Sequence, residues 1–422
     1  MSPDSPPIRL NSCVASKREP GTIYFTTRPG GAGVRAPYGW LIGIGGEGQI
    51  VLNRKFQGTS QDVRCLPSGR ILFSQSAQGL LYEVGPDGTT HRIWHSRDKW
   101  AGLTPPAGSV ELPINQLHHT VNVLPDGNFL ILDAEQREYD NWPASTTDRN
   151  APRQRSSIVG DVVKEVTQAG QLVREHRLLD ILDPYRITHG SMETYWHKLG
   201  FPGAHDWSHV NAVSYDAADD CLVLSVRHQD CIVKLGRTDG GIRWILGNPS
   251  EWSKPWSQYL LQPEGDFRWQ FHQHDCSAPA PGRVLCFDNG NFRAGAYQTP
   301  LLPSENFSRA VEFEIDAAGR KVRQVWEYGE FVTPRLFACY QGGARRLPRT
   351  GNTVLTFGGI CLRDGVPSGS NVGSWGYARI LEVTPDKEVV LDIEINDQAS
   401  EAPNDPPLAY SAFRSDHSAL AQ

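Results

Sequence analysis

The sequence predicts an all-β fold: a six-bladed β-propeller, built as a single domain with long rim loops. Its composition favours turns over helices, with 41 Gly and 30 Pro against 2 Met in 422 residues, the balance of a chain made of many short strands. A hairpin-like unit recurs in which a polar residue is followed about eight positions later by Gly and then by an apolar strand. A second strand–turn–strand unit follows each copy. At 46.8 kDa the chain exceeds the usual size of one packed core, and radial repetition accommodates that length while limiting exposed sheet edges.

The first unit is read in "QDVRCLPSGRILFS", with Gln61 at the polar position, and again in "HHTVNVLPDGNFLILD", where His119 stands eight residues before Gly127. "HVNAVSYDAADDCLVLS" repeats it with His209 and a longer turn, "HDCSAPAPGRVLCFD" with His274 eight residues before Gly282, and "GARRLPRTGNTVLTF" with Gly343. The partner hairpins are "LLYEVGPDGTTHRIW", "VVKEVTQAGQLVREHRL", "CIVKLGRTDGGIRWILG", "AVEFEIDAAGRKVRQVW" and "ARILEVTPDKEVVLDIEI". A sixth copy, "LIGIGGEGQIVLNRKF", comes first, and "CVASKREPGTIYFTT" is expected to supply its inner hairpin. The expected boundaries are an N-terminal extension over 1–20, the propeller over 21–396, and a tail over 397–422 that packs on the propeller. His417 in that tail is a distant candidate for the channel.

Charge and cysteine use narrow the function. A net charge of -6 and a pI near 6.1 argue against a nucleic-acid partner, which calls for a basic footprint, and favour a small molecule. No run of about 18 apolar residues is present, so no membrane-spanning helix is expected. The start "MSPDSPPIRLNSC" lacks a charged and then apolar leader, which points to a cytoplasmic setting. The eight cysteines form no CxxC pair, so buried free thiols are expected rather than a zinc ribbon or redox motif.

The innermost strand of a propeller blade lines the central channel, so residues at one repeat position converge near the axis. That places His119, His209 and His274 around one channel mouth. Strand alternation adds Asn211 beside His209 and His272 beside His274, and turns His118 away. The long segments 180–208 and 248–270 pile aromatics on the same rim: Tyr195, Trp196, Trp207, Trp252, Trp256, Tyr259 and Trp269. They suit a wall for a flat apolar ligand, with Tyr195, Trp207, Trp269 and His272 expected to touch substrate.

A lone strand histidine is most often a satisfied hydrogen-bonding residue. Three at one repeat position are different, since Gln61 and Gly343 occupy the same position in sister units. Two chemistries use such a cluster. Neutral imidazoles ligate transition metals, which would make the chain a His-ligated metalloenzyme, an oxygenase or lyase acting on an aromatic. Alternatively an imidazole attacks an electrophilic sulfur or phosphorus while another handles a phenol proton. Arg227, on the strand expected to pair with that of His209, suits a tetrahedral oxyanion and repels a metal cation. A non-catalytic binding scaffold is the third reading, and it needs no polar cluster at its axis.

The ordered motifs "DWSHVN", "SVRH", "WILG" and "QHD" before "FDNGN" resemble those of the arylsulfate sulfotransferase (arylsulfotransferase) family, six-bladed propellers that move a sulfuryl group between phenols without a nucleotide donor. The resemblance is strongest from about His118 to Asn291. It implies that His274 is the sulfated nucleophile, that His209 and Asn211 hold the sulfuryl group with Arg227, and that His119 is a further active-site histidine. His228 is expected to turn away as a structural residue. The implied partners are an aryl sulfate donor and a phenolic acceptor, with no metal or other cofactor. Exported family members carry a leader, an added N-terminal β domain and a disulfide, whereas this chain reaches propeller sequence by about residue 20.

Three weaker signals carry no function. "GIGGEG" at 43–48 precedes a strand rather than a helix, so it reads as a hairpin turn and not as a phosphate loop. Asn306 satisfies a glycosylation sequon by chance, and "RNAPRQRSS" reads as a solvated basic loop.

Overall fold

The computed structural model describes residues 5–29, 38–397 and 410–418. Their strands form six sheets, antiparallel but for short added edge strands. The short innermost strands, Val63–Cys65, His118–Val123, Val210–Asp216, His274–Ser277, Gly343–Arg346 and Tyr410–Ser418, pack each against the next, and the last packs against the first. This closed ring is the β-propeller that the repeat predicts.

Apolar faces of adjacent sheets form the cores. Between the third and fourth sheets, Leu132, Trp142, Val163, Trp207, Val213, Leu224, Val233 and Ile245 are buried together. Each such side chain contributes about 1.5–3 kcal/mol by leaving water. Polar ties lace the inner strands: Asp62 accepts from Val121 N at 3.1 Å, Asp275 from Ala344 N at 3.3 Å, and Asp416 from Cys65 N at 2.9 Å. Arg64 adds a bond to Thr120 Oγ1 at 3.0 Å. These bonds fix the angular register of neighbouring sheets, which sets how far apart the inner-strand side chains stand at the mouth.

The chain ends correct the expected boundaries. Ile8–Cys13, placed in an extension over 1–20, is the outermost strand of the last sheet, antiparallel to Val389–Ile395. Tyr410–Ser418, placed in a packing tail, is the inner strand of the first sheet and pairs with Thr22–Pro29. The segment around Cys13 to Thr27 therefore does not supply the inner hairpin of that sheet. Both ends are stitched into sheets whose other strands come from far along the chain, so each closes the ring with backbone hydrogen bonds. The rest of the expected tail, 398–409 and 419–422, lies outside the described residues. The "GIGGEG" segment joins the paired strands Tyr38–Ile44 and Ile50–Gln57 as a hairpin turn. Among the described residues no helix is long and apolar enough to cross a membrane.

Candidate active site

A cavity of about 350 Å³ opens at one mouth of the ring, lined by strand residues of four sheets and by loop and turn residues flanking the strands of the other two. Gln61, His119, His209 and His274 come from four successive inner-strand segments, and Arg227, Tyr195, Glu193, Tyr340 and Arg28 complete the polar wall. The backbone aims two of the imidazoles by leaving the extended conformation. His119 and His209 have φ of 52° and 48°, left-handed values that an L-residue adopts only when its surroundings hold it there.

His274 has its ring state fixed by a neighbour. The Asn289 amide donates to Ala338 O at 2.7 Å and Gln341 O at 2.8 Å, so its Oδ1 is an acceptor. That oxygen lies 2.7 Å from His274 Nδ1, which must therefore carry hydrogen and donate. The lone pair of a neutral His274 ring then resides on Nε2.

His119 is fixed through His118. His118 Nε2 faces two oxygens, Asp133 O at 3.1 Å and Asp161 Oδ1 at 3.2 Å, and burial lowers the pKa of this ring. Its Nε2 donates, so its Nδ1 accepts from His119 Nδ1 at 2.9 Å, and His119 also keeps its lone pair on Nε2. His118 lies outside the cavity wall, as expected, yet it sets the tautomer of the histidine beside it.

His209 Nδ1 lies 2.5 Å from Asp206 Oδ2. Burial first, and then the Arg227 charge, pull His209 down to about 3. Burial and the Glu193 charge raise Asp206 well above the carboxylate range, although Trp196 Nε1 donates to it. The two groups therefore share one proton as a neutral pair. His228 stacks on His209 with ring centroids 4.5 Å apart and donates from Nδ1 to Asp206 O at 2.7 Å. Burial, with the Arg227 charge beside it, drives its pKa well below the ordinary value. Arg227 bonds to His228 Nε2 through Nη1, points Nη2 at Cys339 O at 3.4 Å, and stays on the cavity wall. His228 is off the wall as expected, but it anchors the arginine.

Four expected contacts are corrected. Asn211 is fully buried behind the wall and donates to Gln273 O at 2.8 Å, bracing the strand that carries His274. It occupies a β-bulge between Val210 and Ala212, which breaks the two-residue alternation that put it beside His209. His272, with φ of 50°, turns to Asp230 at 2.7 Å and against Phe292 rather than into the cavity. The Trp207 indole is buried in the core with Nε1 on Arg186 O at 2.9 Å, and Trp269 packs on the core beneath the fifth sheet. Only Tyr195 of the expected aromatics reaches the wall, edge-on to His209 with centroids 4.9 Å apart. For the large indoles, packing inside the core removes more apolar area from water than standing at a wet mouth.

The metal reading of the His119, His209 and His274 trio is not favoured. Among the described residues the groups with ligand atoms within 4.8 Å of one another are Glu193, His228 and His272, and Asp206, His209 and His228. The trio forms no such group. Sequence reasoning missed Glu193, Asp206, Asn289, Tyr340 and the segment Gly369, Ser370 and Asn371 at the rim. Asp206 and Asn289 had a visible signal, since they sit in the quoted "DWSHVN" and "FDNGN".

The arylsulfotransferase (ASST) family pattern matches residues 92–404. The arylsulfate sulfotransferase AssT of Escherichia coli O6:H1 is 31% identical over 296 residues, covering 59% of this chain and 46% of that protein. That of Lelliottia amnigena is 30% identical over 213 residues, 41% of this chain and 35% of its own length. The chain thus spans less than half the length of these curated relatives. Among solved structures, a protein of unknown function from Bacteroides caccae aligns over 94% of this chain and 98% of its own, at 12% identity and a TM-score of 0.47. With the family pattern covering most of its length, the chain belongs to the arylsulfotransferase family.

Proposed function

We propose that this chain transfers a sulfuryl group from an aryl sulfate to a phenolic acceptor, with His274 as the nucleophile and a sulfohistidine as the intermediate. The observation that carries this reading is the Asn289 clamp on His274 Nδ1, which reserves the Nε2 lone pair of a cavity-lining ring for attack. A volume of about 350 Å³, near the small end of ligand pockets, suits one monoaryl sulfate.

His274 Nε2 forms the N–S bond as the S–O bond to the aryl group breaks and the electron pair leaves on the phenolate. The sulfurylated ring keeps its Nδ1 proton and gains positive charge, which Asn289 Oδ1 stabilises. Arg227 offers a guanidinium to the sulfuryl oxygens, so positioning and charge complementarity supply most of the rate. His209, held neutral, does not carry the mobile proton. That role falls to His119, which enters the cycle as the imidazolium, gives its Nε2 proton to the leaving phenolate, and with the Nε2 lone pair so restored takes a proton from the incoming acceptor. The acceptor oxygen then attacks sulfur, the N–S bond breaks, and His274 returns with its lone pair.

The test is incubation with a chromogenic aryl sulfate, with and without a phenol, followed by intact-mass measurement. A sulfated protein forms with donor alone and disappears on adding acceptor. His274→Asn forms no adduct and does not turn over; retained transfer in that folded variant would defeat the scheme.

A further inference from the structure

At the cavity wall and just behind it, three side chains that the transfer scheme does not use converge, and the geometry points to a binding site for a divalent transition metal, zinc by ligand preference, made by Glu193 on the wall and by His228 and His272 behind it. Their ligand atoms lie within 4.8 Å of one another, and Glu193 Oε2 is 3.6 Å from His228 Nε2, close to the ligand spacing of a tetrahedral zinc ion. Both rings are already committed at Nδ1. His272 donates to Asp230 Oδ1 at 2.7 Å and His228 to Asp206 O at 2.7 Å. A carboxylate or carbonyl behind Nδ1 is the outer support that orients metal-binding imidazoles and leaves Nε2 to the ion.

A second observation points to a ligand at the same place. His272 is fully buried, and its Nε2 has no hydrogen-bond partner among the described residues. A buried nitrogen lone pair left unmatched costs free energy that a metal bond would recover. The space beside it is kept open by Gly190, where a Cβ would stand 2.5 Å from His272 Nε2 and 2.6 Å from His228 Cδ2. The neighbouring Asp206, His209 and His228 group is different, because its close nitrogens already face oxygens.

One contact competes with the ion. Arg227 Nη1 occupies the His228 Nε2 lone pair and stands 3.9 Å from Glu193. A bound cation takes over both partners and repels the guanidinium, removing Arg227 from its post beside the cavity. Metal binding therefore arrests sulfuryl transfer, if the chain performs it, and the site acts as an inhibitory metal sensor.

The experiment uses untagged full-length protein stripped with a chelator and titrated with Co²⁺, read by the visible d–d bands of a low-coordinate site. The wild type binds one equivalent with intense bands that Zn²⁺ bleaches. His272→Gln and Gly190→Ala lose the bands while circular dichroism stays that of a β fold. Glu193→Gln, at a half-exposed position that tolerates change, covers the case in which the buried variants do not fold, and weakens Co²⁺ binding about tenfold or more. No bound Co²⁺ in folded wild type, or bands and affinity unchanged in Glu193→Gln, overturns the site. The optical readout stands whether or not the chain transfers sulfuryl groups. In the activity arm, Zn²⁺ inhibits transfer and the chelator restores it; full transfer at saturating Zn²⁺ overturns the inhibitory role.

Discussion

Asn289 Oδ1 lies 2.7 Å from His274 Nδ1, and the same amide is tethered through its nitrogen to two backbone carbonyls of the next sheet. The acceptor is thus held by the scaffold and not by the histidine it serves. Asn289→Ala releases the ring to rotate or to shift its proton to Nε2. The expected result is a fall in kcat of about 10²-fold with little change in KM for the donor. Asn289→Asp keeps the acceptor oxygen but sets its second oxygen against the Ala338 and Gln341 carbonyls, so it restores part of kcat at a cost in stability, with a changed pH–rate profile because a carboxylate now supports the ring. Steady-state kinetics on both variants checks this, and equal losses in the two would mean that Asn289 only packs.

Arg227 reaches two acceptors at once, His228 Nε2 and Cys339 O, while keeping its guanidinium on the cavity wall. Lysine offers a single point charge and no planar fork. Arg227→Lys is therefore expected to lower kcat by about 10²-fold or more although the net charge is unchanged. Burst kinetics with a chromogenic donor locates the loss in formation of the sulfated enzyme. A variant that forms adduct at the wild-type rate contradicts this placement.

The legible part of the molecule was whatever the repeat preserves. Equivalence between units placed His119, His209, His274 and even Gln61 around one cavity, because a ring of like sheets brings like positions together. Alternation along a strand was a poorer guide. It presumes extended backbone, and left-handed His209 and His272 with a bulge at Asn211 re-aim the side chains at the mouth. Glu193 lies on an irregular loop and Asn289 past the end of the second strand of its sheet, so neither shares the register. The closing strands Ile8–Cys13 and Tyr410–Ser418 escaped notice because each enters a sheet alone, without the hairpin partner that made the other units recognisable. Aromatic richness in the rim loops foretold burial, not its direction: Trp207 went into the core and Tyr195 to the cavity.

The pairing of His209 with Asp206 has a signature in stability. His209 is held down to about 3 from an ordinary 6.5, so below pH 6.5 the unfolded chain takes up a proton that the folded chain refuses. By itself this term lowers stability as pH falls from 6.5 toward 3, by up to about 1.4 kcal/mol per pH unit. Asp206 acts in the opposite sense, since its raised pKa lets the folded state keep a proton that the unfolded state releases above 3.8. In the wild type the two offset each other between those ordinary values. His209→Gln deletes only the first term, so the stability difference between the proteins shifts in favour of the variant as pH falls from 6.5 to 4. Urea unfolding at a series of pH values measures it; a difference independent of pH would place the shared proton elsewhere.

Asn211 separates a structural role from a chemical one. Asp62, Asp275 and Asp416 each accept a backbone N–H from the following inner strand, whereas Asn211 donates its amide to the carbonyl of Gln273. Aspartate thus suits those contacts and is the wrong residue here, since a carboxylate facing that carbonyl in a fully buried site has no proton to give. Asn211→Asp is expected to lose about 3 kcal/mol of stability and to loosen the strand one residue before His274, so that kcat falls in step with stability and recovers in the presence of a stabilising osmolyte. If Asn211 instead held the sulfuryl oxygens directly, the variant would keep much of its stability and place a negative charge against an anionic group. Donor KM would then rise steeply and no osmolyte would restore it. Equilibrium unfolding and steady-state kinetics on the same preparation distinguish the two, and the 2.8 Å bond to Gln273 O predicts the first.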